Sequence, residues 1–183
     1  MIHAISKLNS GYSLYGGRVI ISDKNLKKID YSPLFEKPTT FANALVQNIS
    51  GANTMVFDYS IMKIFRKIKK HPTTSMDWIL YLLTTFNGNK VFYDKVPKIY
   101  YRQHENNDHG IGSSFNHKLK LLKFLLNGNY KKFNDQNISM LNEADFTKIK
   151  DENVRILKNY NAIRSKKISF FDFLKKKNNE KVY

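Results

Sequence analysis

The sequence predicts an α/β protein, and three observations carry that reading. Short β-rich runs such as Val19-Ile20-Ile21 alternate with stretches in which apolar residues recur every three or four positions. Breakers such as Pro33, Pro38, Gly51, Pro72, Gly88 and Pro97 separate these runs. After Gly112 the strand pattern stops and the apolar spacing becomes helical throughout. The expected organisation is therefore an α/β part over 1–112 and a helical extension over 113–183 that ends in a basic, aromatic tail.

Taken in order, Met1 to Asn9 places Ile2, Ile5 and Leu8 at helical spacing, with an end near Asn9-Ser10-Gly11. Tyr12 to Ser22 reads as a buried strand, with Gly16-Gly17 as a bend or bulge. Asp23 to Thr40 reads as loop, Phe41 to Val46 as a short helix and Thr54 to Phe57 as a second strand. Tyr59 to Lys70 sets Ile61, Ile64, Phe65 and Ile68 on one face of an amphipathic helix, stopped by His71-Pro72. A cap at Thr73, Thr74 or Ser75 opens a helix over Met76 to Phe86, which Asn87-Gly88-Asn89 closes. Lys90 to Asp94 is a strand that Pro97 breaks and Lys98 to Arg102 resumes. Phe115 to Leu126 is an apolar helix, and Tyr130 to Arg164 is helical with Ile149, Ile156 and Ile163 at heptad spacing.

Bulk composition narrows the classes. The chain has 183 residues and 42% hydrophobic residues, enough for one domain with a real core and against disorder throughout. With no cysteine, disulfide frameworks, thiolate metal sites and cysteine nucleophiles are excluded. No apolar run reaches the roughly 20 residues that span a bilayer, and no signal-peptide pattern opens the chain, so a cytoplasmic protein is expected. The formal charge of +16 suits phosphates, nucleic acid or an anionic membrane face. It also suits plain compositional drift, because Lys, Asn, Ile, Phe and Tyr are all abundant.

Two polar clusters stand at the ends of apolar elements. In Ser75-Met76-Asp77-Trp78, Asp77 falls in the first turn of a helix, where peptide dipoles stabilise negative charge. A general base must start ionised, and Asp77 meets that need, although aspartate is also an ordinary helix-start residue. Trp78 can wall a sugar site or pack in the core. In Tyr101-Arg102-Gln103-His104-Glu105-Asn106-Asn107, Arg102 offers a planar fork for phosphate oxygens, and His104 can donate to a diphosphate or ligate a metal. A third stretch, Asn48 to Thr54, is a turn in which Gly51 permits close approach of backbone to a ligand.

In this order, Asn48…Ser50-Gly51…Thr54-Met55-Val56-Phe57, then Met76-Asp77-Trp78, then Tyr93-Asp94…Tyr101-Arg102-Gln103-His104…Asn106-Asn107 resembles the bacterial family 2 glycosyltransferases. The closest group is the rhamnosyltransferase-like members of capsule and lipopolysaccharide synthesis. The resemblance implies a partial GT-A fold, a Rossmann-like mixed sheet with flanking helices, with 1–112 as its acceptor-side part. It implies that Asp77 is the catalytic base of an inverting transfer from a nucleotide-sugar donor to a surface-polysaccharide or lipid-linked acceptor. Arg102 and His104 match positions near the donor diphosphate. Asn48, Gly51, Asn53, Thr54, Trp78, Gln103 and Asn107 match the sugar and acceptor pocket. A divalent cation, Mn or Mg, is expected in the family, with His104 as the one candidate ligand here. The Asp-x-Asp motif and the nucleotide-binding half that carries it are missing from this sequence. The expectation is therefore a truncated or split enzyme, with a separate chain supplying that half and the basic tail resting on the inner face of the plasma membrane. The reading from another class is a non-catalytic basic module for nucleic acid or an anionic membrane, although no strand carries an RNA-recognition aromatic pattern.

Overall fold

The computed structural model describes residues 1–68, 75–102, 127–143 and 149–165. These form a mixed α/β structure with a four-stranded sheet, six α-helices and one 3-10 turn among the described residues. In chain order they are α1 (Ile2–Asn9), β1 (Leu14–Ser22), β2 (Lys28–Tyr31), α2 (Phe41–Ala44), the 3-10 turn Ala52–Thr54, β3 (Val56–Phe57), α3 (Tyr59–Arg66), α4 (Met76–Phe86), β4 (Val91–Arg102), α5 (Asn129–Glu143) and α6 (Asp151–Arg164). No helix among the described residues is long and apolar enough to cross a membrane.

The sheet is organised around β1. β4 runs parallel to it along one edge, from the pair Leu14↔Val91 to the pair Ser22↔Arg102. The other edge is shared by two antiparallel strands, β3 opposite Leu14 and Tyr15 and β2 opposite Ile20 to Ser22. The register along β4 slips once. Gly17 faces Asp94 but Val19 faces Ile99, so Lys95 to Lys98 bulge out opposite Arg18 alone. Pro97 lies in this bulge, where its missing N–H costs no ladder bond.

One face of the sheet carries the main core. Leu14 and Val91 pack with Phe41, Leu45 and Ile49 and with Trp78, Ile79, Tyr81, Leu82, Leu83 and Phe86 of α4. α4 is buried on nearly every side, and its polar groups are satisfied internally. The Thr84 and Thr85 hydroxyls donate to the Leu80 and Tyr81 carbonyls, at 2.7 and 2.8 Å. The Tyr81 hydroxyl donates to Asn43 Oδ1 at 3.0 Å. α5 and α6 join the same core through Ile138, Met140, Leu141 and Leu157. Asn153 of α6, almost fully buried, donates to the Thr85 and Phe86 carbonyls at 2.9 and 2.8 Å and so caps the end of α4.

Several local expectations are corrected. Ile2 and Ile5 of α1 face outward, 87% and 45% exposed, and it is Ala4 that is buried. Only Val56 and Phe57 form β3. Thr54 turns instead, because its hydroxyl donates to the Gly51 carbonyl at 2.9 Å and accepts the Gly17 N–H at 3.2 Å. The bulge expected at Gly16-Gly17 belongs to β4. The stretch read as loop contains β2, an exposed strand too short and too polar to show a pattern. The helical extension is broken before Asp151, where Lys150 takes the N-cap position, so Ile149 lies outside α6 and the heptad does not run through one helix. The expected Phe115 to Leu126 helix and the basic tail lie outside the described residues.

Candidate functional site

Asp77 lies at a helix start, as its sequence context predicts. α4 begins at Met76, and Asp77 is in its first turn, partly exposed. Asp77 Oδ1 accepts the Trp78 N–H at 2.9 Å. Ser75 is the N-cap but makes no side-chain cap bond, so the carboxylate beside it answers a donor at the helix start. α4 runs back about 16 Å from the Asn87-Gly88 turn, where Gly88 adopts φ +75°. That turn leads directly into β4, so Asp77 is held at the end of α4 remote from the start of β4.

Trp78 is 7% exposed and its indole N–H donates to the Ala44 carbonyl at 2.7 Å. This bond seats the first turn of α4 against the end of α2. Four residues past Ala44 the chain enters the turn containing Asn48, Gly51, Asn53 and Thr54, which the structure brings together. Asn48 folds on itself, donating to the Ser50 carbonyl and accepting the Ile49 N–H, both at 3.0 Å. Thr54 is buried and anchors the turn to β1 through Gly17, while Asn53 is exposed. Gly51 has an ordinary extended backbone (φ −83°), so its freedom is not used for a left-handed conformation. Gly51 and Gly16 both allow a close approach: a Cβ at Gly51 would fall 2.7 Å from Asn53 Oδ1, and one at Gly16 would fall 2.2 Å from Ser50 Oγ.

On the opposite face of β1 lies a cluster that the sequence reading missed. Asp94, 5% exposed, accepts the Tyr15 hydroxyl at 2.6 Å and the Val96 N–H at 3.0 Å, and forms an ion pair with Lys98. His3 Nε2 of α1 is 3.5 Å from the same carboxylate. Burial alone would raise the Asp94 carboxyl, but the Lys98, Tyr15 and Val96 hydrogen bonds outweigh it and hold it below the usual carboxylate range. Burial pushes the Tyr15 hydroxyl up, and Asp94 pushes it further. Tyr15 stacks on Phe92 with centroids 5.7 Å apart, Tyr12 and His3 meet the Phe92 ring edge-on, and Lys7 sits over it. The available signal was Asp94 itself, a lone acid in a strand whose neighbours are aromatic and basic, four residues before Lys98.

Arg102 ends β4, exposed and opposite Ser22. Gln103, His104 and Asn107 lie outside the described residues. Among the described residues no three His, Asp or Glu side chains gather to hold a metal ion. Asp94 is unsuited to that task, because Lys98 already neutralises it. Compared with family models, curated proteins and solved structures, the chain matches none of them.

What the arrangement offers is a wall. The segment from Ala44 to Thr54 is fastened at one end to Trp78, beside Asp77, and at the other to Gly17 in the middle of the sheet. The Asp77 carboxylate, partly exposed, adjoins the Trp78 end of that wall.

Proposed function

We propose that the chain is the acceptor-side part of an inverting family 2 glycosyltransferase of GT-A type, acting on a surface-polysaccharide or lipid-linked acceptor. The observation that carries this reading is the position of Asp77: partly exposed in the first turn of a buried helix whose Trp78 is bonded to Ala44, four residues before the turn built from Asn48, Gly51, Asn53 and Thr54. The order of these segments along the chain supports it further.

In this reading Asp77 accepts the proton of an acceptor hydroxyl as that oxygen attacks the anomeric carbon. One carbon–oxygen bond forms while the bond to the nucleotide diphosphate breaks on the opposite face, and the leaving oxygen keeps the electron pair. Arg102, and His104 beyond it in sequence, supply positive charge and donors to that leaving group. The nucleotide pocket and any divalent cation belong to a nucleotide-binding half carrying Asp-x-Asp. The described residues of this chain do not make a cation site by themselves.

The test is turnover of nucleotide sugars, followed by mass spectrometry of the nucleoside diphosphate released, with a nucleotide-binding half supplied in trans and lipid-linked saccharides as acceptors. Asp77→Asn keeps the shape of the side chain and is expected to lower kcat about 100-fold or more with an unchanged fold. Equal turnover by the Asp77→Asn protein would overturn the assignment.

A further inference from the structure

Three consecutive carbonyls at the end of α2 are each met by a donor from a different helix. The Ala44 carbonyl accepts the Trp78 indole N–H of α4 at 2.7 Å. The Leu45 carbonyl accepts the Tyr160 hydroxyl of α6 at 3.3 Å. The Val46 carbonyl accepts the Tyr130 hydroxyl of α5. α2 is only four residues long, so its closing carbonyls find few partners in the helix itself and need donors from outside.

The donors are themselves tied together. The Trp78 and Tyr130 rings are 6.0 Å apart. The Tyr160 hydroxyl also lies 3.3 Å from Oδ1 of Asn134, a side chain of α5 that is 1% exposed. Arg164, one turn past Tyr160, covers its ring and pairs with Asp135 of α5. Asn134 and Asp135 of α5 thus meet Tyr160 and Arg164 of α6, and the Tyr130 and Tyr160 hydroxyls arrive at the same strip of backbone. That strip runs two residues later into the Asn48–Thr54 turn.

We infer that α5 and α6 form a clamp on the Ala44–Thr54 wall, with Tyr130 and Tyr160 as positioning residues that set the turn relative to the first turn of α4. The clamp rests on geometry alone. Only what the wall holds, a saccharide acceptor, rests on the transferase reading. Loss of the two hydroxyls frees two adjacent carbonyls at the root of the wall while leaving the ring packing in place.

Hydrogen–deuterium exchange of the full chain tests this, with Tyr130→Phe, Tyr160→Phe, the pair, and Asn153→Ala as a control that loosens α6 at the far end of α4. Exchange over 46–54 is expected to speed up about five-fold for each hydroxyl removed, with β1 unchanged. Asn153→Ala is expected to leave 46–54 unchanged. The clamp is overturned if 46–54 is unmoved in the double variant, if it moves only in step with β1, or if Asn153→Ala moves it equally. Should the double variant unfold, Tyr160→Phe alone carries the same comparison. Where transferase turnover is found, the double variant is expected to raise KM for the acceptor several-fold, with kcat and its pH profile kept. Unchanged KM beside faster exchange would confine the clamp to stability and overturn the positioning role. Faster exchange with no turnover in any protein keeps the clamp and removes the transferase reading, whereas turnover with flat exchange does the reverse.

Discussion

Replacing Gly16 by alanine tests how the candidate wall is seated on the sheet. The backbone at Gly16 is not in the left-handed region, so the substitution meets no dihedral strain. By itself it would firm a strand interior by about 0.5–1 kcal/mol. The cost comes from contact. The new Cβ would fall 2.2 Å from Ser50 Oγ and 3.0 Å from Ser50 Cβ, and neither is the far end of a long side chain. Forcing a methyl group into such a contact costs about 1–3 kcal/mol, so Gly16→Ala is expected to destabilise by about 1 kcal/mol net. Ser50→Gly should rescue it. Ser50 Oγ is buried with no hydrogen-bond partner, so its removal breaks no bond. With Ser50 gone, the nearest remaining atom is Met55 Cγ at 3.9 Å, an ordinary contact. The two changes should therefore couple by about 2 kcal/mol in a double-mutant cycle. Urea unfolding followed by the emission of Trp78, the sole tryptophan and a buried one, gives all four stabilities. Coupling below about 0.5 kcal/mol would refute the claim that the turn is pressed against β1 at this point.

Other expectations follow from the polar contacts. Asn153→Ala removes two buried side-chain hydrogen bonds, to the Thr85 and Phe86 carbonyls at the end of α4, and is expected to lower unfolding free energy by about 2 kcal/mol, read by the same denaturation. Asp94→Asn probes the cluster behind β1 through pH. The folded Asp94 carboxyl is held below its ordinary value, so its contribution is complete above about pH 4 and is lost as pH falls toward the folded value. The wild-type protein should accordingly lose stability on acidification below about pH 4 more steeply than Asp94→Asn does. Identical slopes would show that Lys98 and Tyr15 do not stabilise the charge.

The sequence made some of this legible for definite reasons. α4 was readable at both ends because a Ser-Met-Asp start and an Asn-Gly stop bracket an unbroken apolar run, and its burial on nearly all sides matches that run. The register of β4 was not readable. Pro97 signals an interruption, yet whether a strand ends or bulges depends on whether its neighbour can still pair beyond the gap, and β1 can. Thr54 shows the same limit. Its β-branched side chain favours a strand, but a long-range bond to the Gly17 N–H wins. The outward face of α1 could not be inferred either, since its Ile2 and Ile5 spacing is what a buried helix would show. For the site, the Asp77 position and the Asn48–Thr54 turn were visible as composition at element ends. Their joint anchoring through Ala44 and Gly17 depends on tertiary bonds that no local pattern encodes.

Asp77 and Asp94 show why burial alone does not nominate a base. Asp94 is the more buried of the two, and a search for unusual carboxylates would choose it first. Yet its oxygens are filled by Tyr15, Val96 N–H and Lys98, and every one of those contacts favours the charged form and opposes uptake of a proton. A group so satisfied is built to stay ionised, which suits the joint it makes between β1, the β4 bulge and α1. Among the described residues Asp77 accepts one N–H, from Trp78, at the surface of a helix whose tryptophan is bonded to α2 and whose far end is capped by Asn153. Proton transfer needs a carboxylate that is fixed in place and still has an oxygen to offer. Of the two, Asp77 is the one the proposed transferase reading needs, because its carboxylate is partly exposed and accepts a single N–H among the described residues.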